Sequence, residues 1–286
     1  MVETRYCAFI DVLGYKVIVT DDKTTLEQKA RTLQSIYENL ATQFIWGIGH
    51  LNTQYEDKVY VRSFSDCFYL DCASIEPLLV AVGQIFTSTF NFYSNFKPEE
   101  ETTPFLRCGI VKDWVIKFKD IGSMVNGTNE LNPVGLAVAR AYLTSEKSKL
   151  SGMRVIVSPE VINDLQAVRN TIPEFSYFTK DIREYNVSLP YYFKPININE
   201  KGEPSELYEM LWPVNYVNDH ADTVISVLQG IRPTIPKDEQ RHLIKTAQMF
   251  ADSYLLSEWR EKDGRIFQRD LLRLQLLATP QEAPQN

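Results

Sequence analysis

Apolar and polar positions alternate along this chain with two periods, one near two residues and one near three and a half, and together they outline its elements. Residues 6 to 10, Tyr-Cys-Ala-Phe-Ile, form a short apolar run of strand length that ends at Asp11. Gly14, three residues later, permits a sharp turn. Thr25-x-x-Gln28 has the form of a capping box, and Leu26, Leu33, Ile36, Tyr37, Leu40 and Phe44 then keep helical spacing up to Gly47. From Val59 to Leu70 two alternating runs meet tightly at Ser65-Asp66, which predicts a β-hairpin with a carboxylate at its tip. Leu78, Leu79, Val82, Ile85, Phe86, Phe90 and Tyr93 predict a second amphipathic helix, ended before Pro98.

Phe105–Val111 and Trp114–Phe118 read as a strand pair separated by Lys112-Asp113. A polar, glycine-rich stretch from Gly122 to Pro133 leads to a helical segment, Gly135 to Leu143. Met153–Val157 is a compact strand, and Ser158-Pro159-Glu160 a helix start with serine at the cap and proline in the first turn. Strand, helix, hairpin, helix, hairpin, helix, strand, helix is the rhythm of an α+β sheet with helices on one face. The acidic Glu99-Glu100-Glu101 belongs to a solvated loop, and the proline-broken stretch from Thr171 to Pro213 closes in a strand-like Leu207–Pro213. Beyond about residue 216 the spacing turns helical with charged faces, which predicts a helical extension (216–286) to a first domain (1–215), packed on that domain or on another subunit. The tail from Thr279 to Asn286 is expected to be disordered.

At 286 residues the chain can bury a large core, and its net charge of -7 argues against a general nucleic-acid binder. No apolar run is long enough to span a bilayer and the amino terminus lacks a signal-peptide pattern, so a cytoplasmic protein with no membrane insertion and no DNA partner is expected. Cys7, Cys67, Cys72 and Cys108 lack the paired spacings of a zinc site, and His50, His220 and His242 are scattered.

Two carboxylates carry the candidate chemistry. Asp11 and Asp66 both end β elements that hold few other acids, and carboxylate oxygens suit hard cations, magnesium or manganese, better than zinc. The competing reading is two unrelated turn acids. Tyr15 offers a packing role beneath the loop, and Arg107 a salt bridge that fixes a strand.

Here the sequence resembles a known family. Phe9-x-Asp11-x-x-Gly14-Tyr15 is similar to the first metal motif of class III nucleotidyl cyclases, and Phe64-Ser65-Asp66 stands in the place of their second metal aspartate. Leu106-Arg107-x-Gly109-Ile110, Gly135-x-x-Val138-x-x-Ala141 and Arg154–Ser158 follow in the family's order. The resemblance implies a palm-like, ferredoxin-like core with a mostly antiparallel sheet. It also implies two Mn2+ or Mg2+ ions held by Asp11 and Asp66, a triphosphate received by the amides of Val12, Leu13, Gly14 and Tyr15, and active sites shared by a head-to-tail homodimer.

The departures narrow the substrate. The two base-reading offsets of adenylyl cyclases fall on Arg62 and Asn132, a pair whose donors and acceptors suit uracil or cytosine at least as well as adenine. The transition-state asparagine and arginine fall on Ala139 and Leu143, which leaves neighbouring Arg140 as a catalytic candidate. With the ending Tyr208–Pro213, this looks most like the pyrimidine cyclases of bacterial Pycsar antiphage systems. That resemblance implies conversion of UTP, or of CTP, to a cyclic nucleotide read by a separate effector protein. Adenylyl or guanylyl cyclisation and a catalytically inactive nucleotide-binding module stay open.

Overall fold

Strand β1 (Val2–Leu13) is the spine of an eight-stranded mixed sheet. The computed structural model describes residues 2–94, 105–119, 131–147, 151–171, 181–182, 187–188, 193–200, 203–232, 240–255 and 264–279. β1 pairs antiparallel with β3 (Cys67–Cys72) on one side and with β4 (Phe105–Lys119) on the other. β2 (Tyr60–Phe64) lies outside β3, and β6 (Arg154–Val157) runs parallel to β4. β10 (Glu203–Met210) and β9 (Phe193–Glu200) complete the path, and β5 (Leu131–Val134) pairs with the far end of β4. A separate two-stranded ladder joins β7 (Asp181–Ile182) and β8 (Val187–Ser188).

Period-two patterning divides the sheet into two faces. Ala8, Ile10 and Val12 of β1, with Leu70, Leu106, Cys108 and Ile110, face the main core. There they meet α1 (Tyr15–Thr20), α2 (Leu26–Gln54), α3 (Ile75–Ser94) and α5 (Pro159–Thr171). The opposite face carries Cys7, Tyr69, Val111 and Val115 beneath α4 (Leu136–Lys147), whose Ala137 and Ala141 are fully buried. Helices therefore cover both faces, not one as the element rhythm suggested. The small side chains of α4 let it lie flat on the second face.

Two boundaries also differ from expectation. Lys112-Asp113 does not divide β4, because both charges find partners while the strand stays in register with β1: Lys112 pairs with Asp164 at 2.7 Å and Asp113 accepts from Arg140 at 2.5 Å. α2 continues past Gly47 to Gln54, because Ile48 and Leu51 prolong its buried stripe. Its capping box is present: the Thr25 hydroxyl accepts from the Gln28 amide at 3.2 Å and the Gln28 side chain accepts from the Thr25 amide at 2.9 Å, an arrangement worth about 1 kcal/mol.

The helical region expected beyond 216 comprises, among the described residues, α6 (Val214–Ile231), α7 (Gln240–Leu255) and α8 (Gly264–Leu277). Its apolar faces join the main core: Trp212 packs against Phe86 and Phe250, and Phe90 against Phe250 at a ring separation of 4.6 Å. No described helix is long and apolar enough to cross a membrane. The acidic cluster at 99–101 and the tail beyond Thr279 lie outside the described residues.

Candidate active site

Antiparallel register assembles the site. Asp11 is paired directly with Cys67 of β3 on one side and Arg107 of β4 on the other, so the three side chains stand level on the α4 face of the sheet. Asp66 arrives from the turn between β2 and β3, where Ser65 adopts a left-handed φ of 53° so that two residues can close the hairpin. The carbonyl of Asp66 accepts the Val12 amide at 3.3 Å, which ties the turn to β1 one residue beyond Asp11. One ligand atom each from Asp11, Asp66 and Cys67 thus lies within 4.8 Å of the others.

Two like charges this close need compensation. Arg107 donates from Nη2 to Asp11 Oδ2 at 2.6 Å, and the same nitrogen pairs with Glu146 of α4. The Cys67 thiol donates to Asp11 Oδ1 at 3.5 Å and to Asp66 Oδ1 at 3.7 Å. Burial first, and the two carboxylates second, push that thiol far above its ordinary pKa, so it stays a protonated donor rather than a thiolate. The Tyr37 phenol is also raised, by burial and then by Tyr15, Asp66 and Cys67.

Gly109 explains why α4 can deliver Glu146. A Cβ there would lie 2.7 Å from the Ser145 amide and closer still to the Ala141 carbonyl, so only glycine lets the helix backbone rest on β4. The T-shaped contact of Phe9 with Tyr142, 5.3 Å between rings, fixes the helix on the same face.

The other expected site residues divide. Val12 and Leu13 still belong to β1, and the Val12 amide is already given to Asp66, so Val12 does not offer its N–H to a phosphate. Gly14, at φ 88°, turns the chain into α1, whose first residue is Tyr15. Arg62 lies on the outermost strand β2, opposite Tyr69, and donates to the Val61 carbonyl at 2.8 Å. Asn132 lies on β5, opposite Phe118. Lys117 reaches from β4 to within 4.4 Å of the Tyr60 ring centre and 3.1 Å of buried Asp71, on the face of the sheet that Arg62 shares with Tyr69. Asn132, level with Phe118, lies on the opposite face, so register does not bring the two expected base readers together within one chain. Arg140 stands away from the two aspartates, paired with Asp113 and Glu160.

Three members of the site were not legible as such in the sequence: Cys67, Arg107 and Glu146. The bridge expected of Arg107 exists, but its partner is the candidate metal ligand itself. Knowing that β1 and β4 pair antiparallel would have exposed it, since Asp11 and Arg107 are direct partners.

The two carboxylates are hard, anionic oxygen donors of the kind that hold magnesium or manganese beside phosphate oxygens, whereas the protonated Cys67 thiol between them is a soft group that suits such ions poorly. No protein-family model matches this chain, and no curated protein sequence matches it. Solved structures similar to it include the guanylyl cyclase domain of the RhoGC fusion protein from the aquatic fungus Blastocladiella emersonii (12% identity, 73% of this chain, 96% of that chain, TM-score 0.47). A bacterial light-regulated adenylyl cyclase (14% identity, 82% and 100%, TM-score 0.48) and the adenylyl cyclase CyaB from P. aeruginosa (12% identity, 73% and 94%, TM-score 0.46) are also similar.

Proposed function

We propose that this chain is a pyrimidine nucleotide cyclase that converts UTP to 3′,5′-cyclic UMP and pyrophosphate. The observation that carries the reading is the convergence of Asp11 and Asp66 on one face of the sheet, from two elements far apart in sequence. Both residues would hold the divalent cations. Bound there, such ions would make the ribose 3′-hydroxyl a stronger acid and offset the charge of the departing pyrophosphate. The chain's own part is to orient: Gly14 bends the loop toward the triphosphate, and Arg107 supplies a cation beside Asp11.

Base choice falls to Arg62 and Asn132, as donor to a carbonyl oxygen and as amide. A homodimer with shared sites, in which these residues and Arg140 serve the opposite protomer, belongs to the same reading, as does a messenger role in antiphage defence with a separate effector.

One observation favours a second reading. Both amino groups of Arg140 are engaged by Asp113 and Glu160, and its neighbours Ala139 and Leu143 can stabilise no charge. With Arg140 held in those pairs and no cation at 139 or 143, the domain would bind nucleotide without turning it over. Incubation of the purified chain with each of the four ribonucleoside triphosphates and manganese, with mass spectrometry of the products, separates these outcomes. Cyclic UMP or cyclic CMP as the main product supports the proposal, and a cyclic purine nucleotide refutes its pyrimidine half. Nucleotide binding without any product favours the inactive module.

A further inference from the structure

Both oxygens of Asp11 are committed. Oδ2 accepts from Arg107 Nη2 at 2.6 Å and Oδ1 from the Cys67 thiol at 3.5 Å. A cation taking Oδ2 meets a guanidinium already in place. That guanidinium is not locked as a two-nitrogen fork: Nη2 alone touches both carboxylates, and the buried Nε has no hydrogen-bond partner among the described residues. On its other side stands Glu146, in the last turn of α4 and substantially solvent-exposed, with room to follow the arginine. Asp11, Asp66 and Glu146 against Arg107 leave two net negative charges, so a divalent cation neutralises the cluster without expelling the arginine from it.

We infer that Arg107 and Glu146 form an exchange switch for the metal site: Arg107 neutralises Asp11 in the metal-free protein and is handed to Glu146 when a cation takes Asp11. Glu146 is a positioning residue acting through Arg107. The inference rests on the metal-binding half of the proposed function and needs no nucleotide.

Mn2+ binding to the full chain, followed by electron paramagnetic resonance of the free ion without nucleotide, tests it in a double-mutant cycle. Removing the competitor in Arg107→Gln tightens binding about tenfold, since a charge-assisted hydrogen bond no longer has to be displaced. Glu146→Gln weakens it about threefold, because the displaced arginine loses its second carboxylate. In the Arg107→Gln background the Glu146→Gln effect falls below about 1.5-fold, the signature of two residues acting as one unit.

Equal weakening by Glu146→Gln in both backgrounds is plain charge attraction and overturns the exchange, as does an Arg107→Gln variant that binds no tighter. Should Arg107→Gln fail to fold, the Arg107 Nε–Hε NMR resonance of the unaltered protein is followed during Mg2+ addition. A saturable shift supports the exchange, and no shift at saturation overturns it. Absence of Mn2+ binding in every variant removes the metal site itself, and the exchange with it. Coupling absent while cyclic nucleotide is produced removes only the exchange, and coupling present without product removes the cyclase and keeps the exchange.

Discussion

His242 makes the attachment of α7 to the sheet sensitive to acid. Its Nδ1 accepts the Gly152 amide at 3.0 Å, and one turn later the Thr246 hydroxyl accepts the Met153 amide at 3.0 Å, so α7 caps the chain entering β6. Burial, then Arg241 and Arg107, lower the His242 pKa from 6.5 to about 4. Protonation would also destroy the acceptor that Gly152 uses. Between these two values the unfolded chain binds a proton that the folded chain refuses, so this group makes stability fall as pH falls through the window. At about 1.36 kcal/mol per unit, the two curves integrate to a loss of about 2 kcal/mol between pH 7 and pH 5. Urea unfolding at pH 7, 6 and 5 on the native chain and on His242→Gln reads it directly, because the carboxylates common to both cancel. The native chain should lose about 2 kcal/mol more than the variant over that interval. Parallel curves, or a His242 imidazole that titrates near 6.5 by NMR, would refute the reasoning.

Asp66→Asn keeps the hairpin but removes a charged ligand; cyclisation with manganese should drop about a hundredfold or more, while an unchanged rate sinks the metal assignment. Arg62→Ala should alter the ratio of UTP to other triphosphates consumed more than it alters Mn2+ affinity, and competition assays that show a constant ratio count against base reading. Gly109→Ala pushes a methyl group into the α4 backbone at Ala141 and Ser145. Overpacking of that kind should cost about 1–3 kcal/mol in denaturant unfolding and displace Glu146.

Local rules were readable wherever the structure obeys them locally. The Thr25–Gln28 box, the hairpin at Ser65-Asp66 and the proline start at Pro159 depend on neighbours within a few residues, and all three stand where the sequence put them. The strand break expected at Lys112-Asp113 failed because its charges are answered from Asp164 and Arg140, partners 52 and 27 residues away. Arg107 shows the same limit at the site. From the sequence it was a cation on a strand with a bridge to make; which acid it would meet was a matter of register.

What the sequence by itself determined is the residue types and the element ends that carry them: Asp11 at the close of an apolar run, Asp66 at a hairpin tip, Gly14 where a turn was needed. Only the tertiary structure decided that these aspartates converge with Cys67, that Arg107 occupies one of them, and that α4 brings Glu146 alongside. The physical reason is that patterning and turn chemistry act within a few residues, whereas strand partners and the seat of a helix on a sheet are chosen by the packing of the whole core.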